Sequence, residues 1–176
     1  MRLVFLYGPP GVGKLTVASA LEARSGFKVF HNHLTLKLLL SVFDFGSEAF
    51  RHLREDIWLG VFREAAAAGT DLVFTFAPER TVNQSFIART VEVVGKAGGQ
   101  VIFVQLYCDE SILRGRLESD TRRDWGKLNS WEEYEKLRDD GVFNYDTIIV
   151  PAKSIDIGTA SPEEAAAEID LFLENL

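Results

Sequence analysis

Three short runs constrain this chain more than anything else in it. Leu3-Val4-Phe5-Leu6-Tyr7, Leu72-Val73-Phe74-Thr75-Phe76 and Val101-Ile102-Phe103-Val104-Gln105-Leu106-Tyr107 are β-branched and aromatic, and nearly unbroken in hydrophobicity. A half-exposed strand alternates apolar with polar residues; a run that is apolar throughout is covered on both faces, as in a parallel sheet. Lys28 to His31 is a shorter candidate, and a last strand falls either at Thr147 to Val150 or, by preference, at Ser154 to Ile157. Between the runs, Phe50, Leu53, Ile57, Val61 and Phe62 recur at helical spacing, in a stretch that opens at Ser47 and stops at Gly69. Ser130 with Glu133, and Ser161 with Pro162 and Glu164, read as capping boxes or close variants starting helices at 131–140 and 162–175. Strands alternating with helices define the fold class: α/β, a doubly wound, mostly parallel five-stranded sheet with helices on both faces. Ligands of such sheets sit just beyond the carboxyl ends of the strands.

The length, 176 residues, sets the expectation of a single domain spanning 1–176. A formal charge of −7 opposes non-specific attraction to nucleic acid or to an anionic membrane, so neither is an expected partner. A single cysteine, Cys108, closes no disulfide within the chain, and the apolar run after Met1-Arg2 is too short for a signal peptide; both point to the cytoplasm. No apolar run approaches the roughly 18 residues that cross a bilayer.

After the first strand comes Gly8-Pro9-Pro10-Gly11-Val12-Gly13-Lys14, then Leu15-Thr16 and the helical pattern Val17, Ala20, Leu21. Gly-x-x-x-x-Gly-Lys between a strand and a helix is the pattern of a phosphate-binding loop. Backbone N–H groups must turn inward to hold an anion, and glycines permit the angles. The helix that follows aims its positive end at the phosphates, and Lys14 adds a compact charge. With this chain's Gly and Lys content the bare pattern arises by chance about 0.04 times, before its strand and helix are required. Nucleotide binding by residues 8–16 is the expectation.

Residues 8–16 resemble the loop of the nucleoside monophosphate kinases and related small-molecule kinases, Gly-x-Pro-Gly-x-Gly-Lys-Gly-Thr, departing from it at Leu15. Leu15 stands where a hydroxyl normally meets Mg²⁺, and Thr16 lies one residue on. In adenylate kinase-like proteins the metal is held largely by water and phosphates, so the resemblance implies Mg²⁺ with Thr16 as its candidate protein contact, directly or through water. A second likeness follows the strand ending at Tyr107, in Ile112-Leu113-Arg114-Gly115-Arg116-Leu117. Kinases of this superfamily place an Arg-Leu pair here, opening a lid. The resemblance implies that Arg116 lies against the adenine or near the phosphates, that Arg122 and Arg123 are lid arginines, and that a short lid spans about 118–130. Residues 109–176 carry a net −9, yet five of their eight basic residues fall between Arg114 and Lys127. Read without the resemblance, these arginines make a solvated face paired with Glu110, Glu118 and Asp120.

The resemblance places the acceptor site after the second and third strands, where shikimate and gluconate kinases carry an acidic residue that orients the acceptor hydroxyl; here the chain reads Phe30-His31-Asn32-His33. Asn32 offers hydrogen bonds, and His33 a base or an anion contact. Asp44 is the nearest carboxylate, with a turn role as the plain alternative. Arg51 and Arg54 occupy the first turns of the long helix, where nucleoside monophosphate kinases commonly have an acceptor-phosphate arginine, so the resemblance implies them as candidates for an acceptor anion, with Arg80 after the third strand beside them and surface ion pairs as the alternative. Thr75-Phe76-Ala77-Pro78-Glu79 lacks the strand-terminal Asp that holds Mg²⁺ in many such proteins, and only Thr75 or Glu79 can stand in. The reading is an ATP-dependent phosphotransferase acting on a small-molecule acceptor, a metabolite hydroxyl ahead of a nucleoside monophosphate, with Mg²⁺ neutralising charge. Its rival is a nucleotide-binding regulatory module or slow NTPase with no acceptor.

Overall fold

The computed structural model describes residues 1–119, 128–143 and 151–176. The described residues form β1 (Arg2–Tyr7), α1 (Lys14–Ser25), β2 (Lys28–His31), α2 (Asn32–Leu40), α3 (Glu48–Ala67), β3 (Leu72–Phe76), α4 (Phe86–Lys96), β4 (Gln100–Tyr107), α5 (Glu110–Leu117), α6 (Trp131–Asp139), β5 (Lys153–Asp156) and α7 (Pro162–Glu174). All five strands are parallel, in the order β2-β3-β1-β4-β5. The three apolar runs take the three central places, as their two-sided hydrophobicity requires. The fifth strand, Lys153–Asp156, overlaps the preferred stretch Ser154 to Ile157, shifted by one residue; the alternative at 147–150 is outside the described residues.

Alternation along each strand divides the core in two. Leu3, Phe5 and Tyr7 of β1 join Leu72, Phe74 and Phe76 of β3 beneath α3 and α4, against Trp58, Phe62, Phe86 and Val94. Val4 and Leu6, with Ile102, Val104 and Leu106 of β4, face the other side, against Val17 and Leu21 of α1 and Ala165 and Ile169 of α7. Phe5 is the keystone of the first layer: its ring lies 5.2 to 5.3 Å from those of Phe74, Phe76 and Phe103. Such aromatic pairs add about 0.5–1.5 kcal/mol each beyond burial.

Helix limits follow their caps. Ser47 Oγ accepts from the Phe50 N–H, and Ser130 Oγ from that of Glu133; Ser161 and Glu164 form a full reciprocal box with Pro162 next to it. The segment after β2, expected as a strand end carrying Asn32 and His33, enters α2 at once, with His31 as the extended residue before it. Asn32 and His33 therefore occupy a helical first turn at the carboxyl edge of the sheet. Trp58 Nε1 donates to Thr35 Oγ1 at 3.2 Å, tying α2 to α3.

Candidate functional site

The loop between β1 and α1 is shaped by its glycines. A side chain at Gly8 would run into the backbone oxygen of Leu106 on the neighbouring strand, and at Gly11, with φ +88°, a Cβ would come within 2.8 Å of Leu117 Cδ2. The chain must therefore pass close to β4 and α5 with no side chain there. Val12 is fully buried beneath the loop and anchors it from below. Pro9 and Pro10 have no N–H, so the anion-directed donors come from Gly11 onward into the first turn of α1, whose N–H groups have no partner within the helix. Lys14 Nζ lies 2.8 Å from both the Gly8 and Pro9 carbonyl oxygens, held back along the loop.

Arg116 closes the loop from the other side. Its Nη1 donates to Val12 O at 2.8 Å and its Nη2 to Ile157 O at 2.7 Å, joining the loop, the end of α5 and the turn after β5. Cys108 lies at the carboxyl end of β4, where burial pushes its thiol up against the opposing pull of Arg116. A thiol so shifted is a poor nucleophile.

One cavity of about 820 Å³ connects these parts. On one wall stand Gly11, Gly13, Lys14, Leu15 and Thr16, with Arg116, Ile157, Ala160 and Pro162 beyond; on the other stand Asn32, His33, Thr75 and Glu79, with Leu36 and Phe45. Thus the structure brings the loop, Thr16, Arg116, Asn32 and His33 onto one space. Among the remaining candidates, Asp44, Arg51 and Arg80 are exposed and do not line it. Arg80 donates to Asp140 O at 3.4 Å. Arg54 is fully buried, ion-paired to Glu79 and 3.1 Å from Thr81 Oγ1. Its guanidinium lies over the Phe50 and Trp58 rings, 5.2 and 5.0 Å from their centroids. Arg122, Arg123 and residues 120–127 of the expected lid lie outside the described residues.

Sequence reasoning missed the wall after β5, formed by Ile157, Ala160 and Pro162, and the apolar contribution of Leu36 and Phe45. The first was within reach, because ligand sites lie after every strand of such a sheet. The second needed the fold, since nothing in an apolar helix or turn marks one residue as facing a cavity.

The residues fit a nucleotide: a backbone cradle that side chains would fill, a helix N-terminus and a lysine converge on one cavity. For a metal the fit is thinner. Among the described residues no three His, Cys, Asp or Glu side chains cluster, the Leu15 side chain has no oxygen to offer, and the donor side chains lining the cavity, Thr16, Thr75 and Glu79 with Asn32, His33 and Ser119, include a single carboxylate among the described residues.

The sheet order and the loop between β1 and α1 define the fold of the P-loop small-molecule kinases. Comparison with solved structures finds that fold repeatedly. The shikimate kinase of Acinetobacter baumannii, solved with shikimate, is 20% identical with a TM-score of 0.63, over 99% of this chain and 93% of that one. The APS kinase of Mycobacterium tuberculosis, solved with AMPPNP and APS, is 18% identical with a TM-score of 0.62, over 98% and 97%. A sugar kinase from a Janibacter species is 17% identical with a TM-score of 0.66, over 99% and 95%. No protein-family model matches the chain, and no curated protein matches it. No described helix is long and apolar enough to cross a membrane.

Proposed function

We propose that this chain is an ATP-dependent phosphotransferase that moves the γ-phosphoryl group of ATP to a small-molecule acceptor, a metabolite hydroxyl ahead of a nucleoside monophosphate. One observation carries the reading: the phosphate-holding loop with Lys14 and a second wall of hydrogen-bonding side chains, Asn32, His33, Thr75 and Glu79, share a single cavity. A site that only binds a nucleotide has no use for that second wall. The kinases of like fold, solved with shikimate or with AMPPNP and APS, support it.

The N–H groups from Gly11 into the first turn of α1 would hold the triphosphate, and Lys14, now on the Gly8 and Pro9 carbonyl oxygens, would exchange these for phosphate oxygens. Bound Mg²⁺ supplies neutralising charge on the phosphates, with Thr16 its candidate contact and phosphate and water oxygens the rest. Phosphoryl transfer asks little covalent chemistry of the protein; positioning and positive charge supply most of the acceleration. Arg116 maintains the loop's shape through the Val12 carbonyl and lies where the base and phosphates enter. Asn32 and His33 meet the acceptor.

Leu15, in place of a hydroxyl, favours the second reading, a nucleotide-binding module or slow NTPase. Acceptor-dependent ADP release separates the two. Purified chain with ATP and Mg²⁺ is assayed against sugars and polyols, shikimate-like acids, nucleosides and nucleoside monophosphates. Stimulated ADP release with one acceptor class supports the phosphotransferase; saturable ATP binding with no stimulation across all classes supports the module.

A further inference from the structure

The wall opposite the loop changes character along its length. Asn32 and His33, in the first turn of α2, and Thr75 and Glu79, at the end of β3 and just after it, are polar and lie at the carboxyl edge of the sheet. One turn further along α2 the cavity is lined by Leu36, and beyond that helix by Phe45. Residues three and four apart share a helix face, so Leu36 follows Asn32 and His33 on one face, one turn further from the end of β2. Val142 and Phe143, which follow α6, line the same space. The Val142 carbonyl accepts from the Arg80 N–H at 2.7 Å, which fixes the two beside the segment that carries Glu79. Leu15 lines the cavity from the first turn of α1, at the position where the loop it resembles has glycine.

Apolar surface of this kind gains free energy when something apolar covers it. Phe45 is 55% exposed even though its ring lies 5.1 Å from that of Phe50. The Phe143 ring stacks on Tyr134 at 5.5 Å, so Tyr134 covers one of its faces. The lysine, arginine and acidic side chains among the described lining residues have other partners: Lys14 and Arg116 hold carbonyls on the donor side, and Glu79 is paired with Arg54. An apolar wall for the donor's base is already present at Ile157, Ala160 and Pro162, beside Arg116. The acceptor side is therefore left with a polar end and an apolar end in one cavity. Small-molecule sites are commonly built so, with the apolar lining supplying affinity and a few polar groups fixing orientation.

We infer that the acceptor is an amphipathic alcohol, its hydroxyl at the polar end of this wall and its other end an apolar group of ring size packed against Leu36, Phe45, Val142 and Phe143. The inference rests on the phosphotransferase reading. It narrows the acceptor from polar metabolites in general, simple sugars and polyols included, to molecules with an aromatic or compact apolar end. In the transfer the hydroxyl oxygen forms its bond to the γ-phosphorus as the bond from that phosphorus to the β,γ-bridging oxygen breaks; ADP keeps the electron pair, and the hydroxyl proton passes to solvent. Because the gain scales with the apolar area removed from water, an acceptor with the ring should outperform one without it by about tenfold or more.

The test uses uncharged matched pairs on the full chain with ATP and Mg²⁺: glycerol with its monophenyl ether, glucose with phenyl glucoside, ribose with uridine. Each pair offers similar hydroxyls and differs by a ring. Acceptor-stimulated ADP release gives kcat/KM, and calorimetry in the presence of ADP gives binding without turnover. At least one ring-bearing member is expected to exceed its partner by about tenfold or more in both. Equal or better use of the ring-less members, or turnover confined to the sugars, acids or nucleoside monophosphates of the wider panel, overturns the inference and leaves the phosphotransferase standing. Silence from every acceptor in both panels while ATP still binds overturns both. Phe45→Ala should raise the KM of the ring-bearing acceptor by about tenfold and leave those of its ring-less partner and of ATP within about threefold. If the loss of its contact with Phe50 prevents that variant from folding, Leu36→Asn gives the same split, and an unchanged KM for the ring-bearing acceptor there refutes the assignment.

Discussion

Glu79 and Arg54 differ in one respect that sets the cost of losing either: the arginine side chain is 0% exposed and the glutamate 18%. Glu79→Ala leaves a guanidinium stranded in the core, with its Nε already without a partner. Removing one member of a buried pair costs about 3–5 kcal/mol, most of it the unpaired charge. Arg54→Met instead leaves a carboxylate that can reach water. It forfeits the cation–π contacts and part of the pair, but the methionine keeps apolar packing on Phe50 and Trp58 and removes the desolvation cost of a buried guanidinium, so a net loss of about 1–3 kcal/mol is expected. In a chain of this size each kcal/mol moves the midpoint about 2–4 °C, so Glu79→Ala should lower Tm by roughly 6–20 °C and Arg54→Met by clearly less. The double variant should lie close to Arg54→Met, with a coupling of about 3–5 kcal/mol, the cost of Glu79→Ala alone. Urea unfolding followed by tryptophan fluorescence is apt, because the Arg54 guanidinium lies 5.0 Å from the Trp58 ring. Equal costs for the two single variants, or a double variant that is their simple sum, would refute the reasoning.

Further expectations concern the donor side and pH. Lys14→Ala should reduce kcat/KM by at least a hundredfold while far-UV circular dichroism and Tm stay near wild type, since the ammonium's loop contacts with Gly8 and Pro9 are replaceable by water. Arg116→Ala should raise the KM for ATP by about tenfold and leave the acceptor KM little changed, because its two hydrogen bonds hold the loop and the turn after β5; an effect confined to the acceptor would displace it from the donor site. Asp170 is held below the usual carboxylate range, first by the Ser25 hydroxyl and then by Arg24. Its stabilisation is therefore full above about pH 4, the unfolded value, and is lost as pH falls through the lower folded value. Asp170→Asn should narrow the difference between urea midpoints at pH 7 and pH 3; an unchanged difference would show that this carboxylate carries none of the acid sensitivity.

Much of this protein is local in origin, and that part was legible. Apolar runs at 3–7, 72–76 and 101–107 declare buried parallel strands wherever they pair, and they pair as β1, β3 and β4. Ser161 and Glu164 close a capping box within four residues of chain, and the glycines and lysine of the loop act through backbone angles and a helix end adjacent in sequence. Such features depend on short-range geometry, which the order of residues contains. The second wall of the cavity depends on contacts that it does not contain. Arg54 is an expected acceptor contact only by its resemblance to an arginine of nucleoside monophosphate kinases; the packing of α3 on the sheet buries it against Glu79, 25 residues on. Arg116 meets carbonyl oxygens 104 and 41 residues away, and Glu79 shares a space with Asn32 because parallel pairing sets the ends of β2 and β3 side by side. Which charges are paired, and which hydrogen-bonding atoms still await a partner, is settled when distant segments close around them.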